Sequence, residues 1–171
     1  MAYSQQVVDR FESVLKEPEK HAVGRFDPTD PNVATGMTGA PACGDVMRLQ
    51  LKLDGNTIEV REYSSKSINK SGPSLVYFHG GGWVIGDTDT HDNICRYICK
   101  KLNMKIFSVN YRLSPEYKFP IPFNDCFDAY EWISNNAEVL EIDSEMISVG
   151  GDSAGGNLAA SICIQRNKEN K

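Results

Sequence analysis

The chain has 171 residues, a formal net charge of −5, and 40% hydrophobic and 24% charged residues. That length supports one buried core, and the acidic balance argues against nucleic acid or an anionic membrane surface as partner. No apolar run is long enough to cross a bilayer and the N-terminus has no secretory pattern, so a cytoplasmic location is expected.

From the N-terminus, Ser4 caps a predicted helix with Val7, Val8, Phe11, Val14 and Leu15 on one face, ended by Pro18. Residues 24 to 45, rich in Gly, Pro, Thr and Asp, read as loop. Met47, Leu49, Leu51 and Leu53 then alternate with polar residues. Asp54-Gly55-Asn56 turns, and Ile58, Val60 and Glu62-Tyr63 return, which predicts a β-hairpin. Ser64 to Pro73 is a polar connection.

Beyond it the pattern becomes strand–helix alternation. A strand at 75–78 leads to a helix near 90–102, with Ile94, Ile98 and Leu102 at four-residue spacing. A strand at 105–110 follows. Pro120 and Pro122 open a helix carrying Phe123, Phe127, Tyr130 and Ile133, and a strand at 146–149 precedes a last helix from Gly156. Repeated βα units imply an α/β fold: a mostly parallel sheet with helices on both faces, plus an N-terminal helix and hairpin.

The cysteines are Cys43, Cys95, Cys99, Cys126 and Cys163, odd in number and without a C-x-x-C, which indicates neither a disulfide framework nor a zinc site. Cys95 and Cys99, one helical turn apart, read as small buried hydrophobes rather than half a metal site.

Two segments carry chemistry. Gly151-Asp152-Ser153-Ala154-Gly155 follows the apolar run 146–149 as G-x-S-x-G, the strand–turn–helix elbow that presents a nucleophilic serine. His79-Gly80-Gly81-Gly82-Trp83 follows the strand at 75–78, and such a loop brings bare backbone N–H groups close to a reacting carbonyl. Their chain order suits acyl transfer. In that order the acid and the base should come after the serine. Residues 154 to 171 contain no Asp and no His, and Glu169 is the one carboxylate among them. His21, His79 and His91 all precede Ser153. His91 is the histidine that could substitute as base, against the commoner reading of a solvated residue at a helix start.

From about residue 53 onward the chain resembles the hormone-sensitive-lipase-like family of α/β-hydrolases. The resemblance rests on His79 to Trp83, Gly86-Asp87, Tyr111-Arg112-Leu113-Ser114-Pro115-Glu116, Phe119-Pro120 and Gly151 to Gly156. It implies a carboxylesterase or lipase acting on short to medium acyl esters, without metal or organic cofactor. By position, Ser153 is the nucleophile, the N–H groups of Gly81, Gly82 and Ala154 form the oxyanion hole, and His79 braces the loop. Asp152, Arg112 and Glu116 fall at structural positions that satisfy buried turns, and Trp83 lines the acyl site or joins the core. The family's triad acid and base lie in further strands, so 53–171 corresponds to the N-terminal half of that fold. The strand before Ser153 then becomes an exposed apolar edge, open to self-association.

Residues 1 to 52 resemble something else, the N-terminus of the U-type iron–sulfur cluster assembly scaffold. The matching segments are Met1 to Ser4, Val7-Val8-Asp9, Val23 to Asp27 and Gly39 to Met47. There the cysteine and aspartate at Cys43 and Asp45 belong to the cluster site, and they are the metal candidates of this chain. The later cysteines of the scaffold are missing, and one thiolate does not hold a cluster that takes four ligands. The chain therefore reads as a chimera with its seam near 51–54. The leading function is ester hydrolysis, with the isolated chain inactive or weak because the triad acid and base are missing; the alternative is an iron–sulfur scaffold-like or non-catalytic fragment.

Overall fold

The computed structural model describes residues 33–37, 45–53, 56–65, 68 and 71–168, with side chains from Ile58 onward. The strands are β1 (Val33–Met37), β2 (Asp45–Leu53), β3 (Asn56–Ser64), β4 (Gly72–Phe78), β5 (Lys105–Asn110) and β6 (Ile142–Gly151). The helices are α1 (Asp92–Leu102), α2 (Ile121–Asn135) and α3 (Ala154–Lys168). The helix expected over residues 4 to 17 lies outside the described residues.

The strands form one sheet in the order β1-β2-β3-β5-β4-β6. β2 and β3 pair antiparallel from Asp45↔Ser64 to Leu53↔Asn56, which is the expected hairpin. β4 lies parallel to both β5 and β6, which the long helix-bearing connections over 79–104 and 111–141 allow. β3 joins the two halves, antiparallel to β5. One expectation fails: residues 33–37 are not loop but a short strand, antiparallel to β2. Val33 and Thr35 are β-branched and suit a pleated edge, but the Gly, Pro and Asp residues around them conceal so short a run.

Boundaries shift for local reasons. β6 begins at Ile142, ahead of the predicted 146, because an edge strand tolerates the polar run Asp143 to Glu145 on its exposed side. α1 starts at Asp92 because residues 87–90 fold into their own turn. There the Asp87 N–H bonds Thr90 Oγ1 (2.9 Å) and the Thr90 N–H returns to Asp87 Oδ1 (2.7 Å).

The pleat divides the core between two faces. Val76, Phe78, Phe107 and Val109 point to the face covered by α2 and α3, where Cys126, Ala129, Ile133, Leu158 and Ile162 close the main core. Tyr77, Ile106 and Tyr63 point to the other face, against Cys95 and Cys99 of α1. Both cysteines are buried, as the sequence predicts, and burial pushes the Cys95 thiol up to about 12. The interior also holds an ion pair: Lys105 Nζ lies 3.0 Å from Glu62 Oε1 and donates to the Leu140 carbonyl at 2.6 Å.

Candidate active site

β4 and β6 are neighbours with Phe78 opposite Gly151, so the segments that follow them emerge side by side at one end of the sheet. After β6 the chain reverses at Ser153 and enters α3 at Ala154. Ser153 has φ of 51°, the left-handed region. Holding a non-glycine residue there costs about 1–3 kcal/mol.

The glycines beside the serine are dictated by space. A Cβ on Gly151 would sit 2.2 Å from the Phe78 carbonyl oxygen, and one on Gly155 would sit 1.9 Å from the same atom. The elbow can therefore pack on the end of β4 only if both positions lack a side chain. The Gly155 N–H bonds the Asp152 carbonyl (2.8 Å) and the Asn157 N–H bonds that of Ser153 (3.2 Å), so the elbow runs straight into the first turn of α3. Ser153 is exposed and Ala154 is buried.

The loop after β4 turns through three successive positive φ values, Gly81 (122°), Gly82 (63°) and Trp83 (61°). The Gly81 carbonyl accepts the N–H groups of Val84 (3.1 Å) and Ile85 (3.0 Å), closing the turn. His79 is fully buried and stacks on Tyr111 with ring centroids 4.2 Å apart. Its Nδ1 lies 2.8 Å from the Gly80 carbonyl, which fixes Nδ1 as the protonated nitrogen. Burial, with His91 adding to it, holds the His79 pKa below its ordinary value. Tyr111 Oη donates to the His79 carbonyl at 2.6 Å, and the Ser114 N–H bonds the Trp83 carbonyl at 2.8 Å.

Three acidic residues, Asp152 and Glu116 of the motifs and Asp125 of α2, take different places. Asp125, on α2, receives Arg112 three times: Nε (2.9 Å) and the backbone N–H (2.9 Å) on Oδ2, and a terminal nitrogen (2.6 Å) on Oδ1. Asp152 Oδ1 accepts from Tyr77 Oη (2.8 Å) and from the Gly80 N–H (2.9 Å). Glu116 and Asp152, both expected in buried turns, are instead exposed, Glu116 at the surface of the 111–117 segment and Asp152 with half of its side-chain surface open. His91 caps the start of α1, as expected, but is only partly solvated: Nδ1 is 3.0 Å from Thr90 Oγ1 and Nε2 is 3.4 Å from Asp152 Oδ1. Tyr77 carries no motif and sequence reasoning missed it, whereas Tyr111 heads the 111–116 motif and only its hydrogen bond to the His79 carbonyl went unforeseen.

A cavity of about 280 Å³ opens beside the loop, lined by Gly82, Trp83, Phe119, Phe123, Leu158 and Ser161 among others. Trp83 is thus a wall of this cavity and partly exposed, not part of the core. Of the metal candidates, Cys43 lies outside the described residues and Asp45 opens β2. Among the described residues no cluster of three or more His, Cys, Asp or Glu is placed to hold a metal ion.

Residues 75–171 match the family described as alpha/beta hydrolase fold, and residues 2–69 match the NifU-like N terminal domain. The chain is 36% identical over 132 residues to the ethyl acetate hydrolase of Pseudomonas putida, covering 76% of this chain and 41% of that protein. It is 40% identical over 121 residues to the arylesterase of Saccharolobus solfataricus, covering 71% of this chain and 39% of that protein. The solved hyperthermophilic esterase of Pyrobaculum calidifontis superposes with a TM-score of 0.71 at 39% identity, over 74% of this chain and 40% of that one. The chain thus spans about two fifths of the length of these relatives.

Proposed function

The chain belongs to the alpha/beta hydrolase family through residues 75–171, and on that premise we propose that it carries the nucleophile half of a carboxylic-ester hydrolase site. The observation that supports this reading is Ser153 at φ of 51° between two glycines packed on the Phe78 carbonyl, beside a loop of positive-φ residues. In this reading Ser153 Oγ attacks the acyl carbonyl carbon. The oxyanion that forms is met by the N–H groups of Gly81, Gly82 and Ala154, aided by the positive end of α3. Collapse of the tetrahedral intermediate expels the alcohol and leaves an acyl-serine, which water then hydrolyses. The cavity walled by Trp83, Phe119 and Phe123 suits an apolar acyl or aryl group.

The proton of Ser153 needs an acceptor. Residues 154 to 171 supply no His and no Asp, and His91 is engaged with Thr90 and Asp152. A serine without a base is a weak nucleophile at neutral pH, so activity of this chain by itself is expected to be slow. The test is release of p-nitrophenol from p-nitrophenyl acetate by the purified chain and by Ser153→Ala. A rate slightly above the variant's is expected; equal rates would overturn the reading that this chain by itself turns over esters through Ser153.

The scaffold-like N-terminus does not favour a cluster-binding function. Residues 2–69 hold a single cysteine, Cys43, where a cluster takes four ligands. Cys95 and Cys99 on α1 and Cys126 on α2 are buried, and burial pushes each thiol up, away from the thiolate that metal binding needs.

A further inference from the structure

We propose that Asp152 is a positioning residue that ties the glycine loop to the nucleophile elbow, so that the Gly81 and Gly82 N–H groups and Ser153 move as one unit. The inference rests on the reading of Ser153 as nucleophile. It is carried by one carboxylate oxygen with three partners from three parts of the fold. Oδ1 of Asp152 accepts from Tyr77 Oη on β4 at 2.8 Å and from the Gly80 N–H at the head of the loop at 2.9 Å. His91 Nε2, just before α1, lies 3.4 Å from the same oxygen.

Contact at Gly80 is close as well as bonded. A Cβ there would come within 2.1 Å of Asp152 Oδ2, so the carboxylate occupies the space that a side chain at residue 80 would fill. The other loop contacts fix its two ends to one segment, 111–114: Tyr111 Oη holds the His79 carbonyl, and the Ser114 N–H holds the Trp83 carbonyl. Neither contact reaches the elbow. Asp152 does, through its peptide bond to Ser153, and the atom it grips is one residue ahead of Gly81.

The electrostatics agree with this placement. Burial opposes ionisation of Asp152, but the Tyr77 hydroxyl, the Gly80 N–H and His91 outweigh it and hold the carboxyl below its usual range. Burial and the same hydrogen bond raise the Tyr77 phenol, which stays protonated as the donor. An N–H bonded to a charged acceptor is among the stronger backbone anchors.

The experiment compares the ¹⁵N-labelled wild-type chain with Asp152→Ala, Asp152→Asn and Tyr77→Phe. It reads amide exchange at Gly80 to Gly82 by NMR, the rate of Ser153 modification by a fluorophosphonate, and the urea midpoint. In Asp152→Ala, Gly80 exchange is expected to rise about three- to tenfold, the scale of a hydrogen bond to a half-exposed carboxylate. Serine modification should slow by a similar factor while the urea midpoint moves little. Asp152→Asn keeps an oxygen acceptor and should restore Gly80 protection and most of the modification rate, whereas a purely structural role would make the urea midpoint of Asp152→Ala fall along with both. Tyr77→Phe, which removes only a neighbouring donor, should lie between. Unchanged Gly80 exchange in Asp152→Ala would overturn the proposal. So would lost protection with an unchanged modification rate. If the wild-type serine is not modified at all, the esterase reading fails and the positioning role falls with it, whereas a labelled serine with an unresponsive Gly80 refutes the positioning role alone.

Discussion

Gly155→Ala is expected to destabilise the chain by about 3–5 kcal/mol, enough to leave little folded protein. The new Cβ would lie 1.9 Å from the Phe78 carbonyl oxygen, 2.6 Å from its carbon and 2.8 Å from the His79 carbonyl oxygen. All three atoms are backbone, so no side chain can turn aside. Relief requires α3 to lift from the end of β4, which opens the main core at Leu158 and Ile162. Gly156→Ala is the matched control. There the nearest atom is the Gly151 carbonyl oxygen at 3.3 Å, and alanine gains roughly 1 kcal/mol of helix propensity over glycine. That variant should stay within about 1 kcal/mol of wild type. Urea unfolding followed by circular dichroism compares them; similar midpoints for the two variants would refute the packing argument.

The second large effect is expected at the buried ion pair. Lys105 and Glu62 side chains are only 6% and 1% exposed, with 3.0 Å between them. Lys105→Met leaves a carboxylate in the sheet interior and removes the donor to the Leu140 carbonyl. Breaking one side of such a pair typically costs about 3–5 kcal/mol. The double variant Lys105→Met with Glu62→Leu removes both charges at similar volume and should recover most of that loss, since replacing a buried pair by apolar groups is often near neutral. A single variant as stable as wild type in urea would show that the pair contributes little.

These two sites also mark what sequence can and cannot disclose. The elbow was legible because its constraint is local: Gly151 and Gly155 flank Ser153, and the glycines report the tight packing directly. The β2–β3 hairpin was legible for the same reason, through alternation about Asp54-Gly55-Asn56. The βα units announced themselves by spacing, and α2 by its prolines. What stayed hidden depends on partners far apart in the chain. Tyr77 and Asp152 are 75 positions apart, and Gly80 and Asp152 are 72 apart. Nothing near Lys105 in sequence indicates Glu62 as its counter-ion. His91 looked solvated because its neighbours are polar, yet the fold lays it against Asp152. β1 escaped notice because a short edge strand needs little hydrophobic pattern to pair.

The match at residues 2–69 overlaps β1, β2 and β3, and the hydrolase match begins within β4. β3 bonds to β2 on one side and β5 on the other. The first resemblance thus enters the sheet as an antiparallel extension, next to strands that alternate with helices. At the opposite end of the described sheet, β6 has β4 as its partner, and Ser144 to Met146 are exposed.

Modification of the purified chain by a fluorophosphonate, read by intact mass and peptide mapping, tests the central claim most directly. A single adduct on Ser153, absent from Ser153→Ala, is the predicted result. An adduct of equal yield in both proteins, or none in either, would contradict the assignment of Ser153 as an esterase nucleophile.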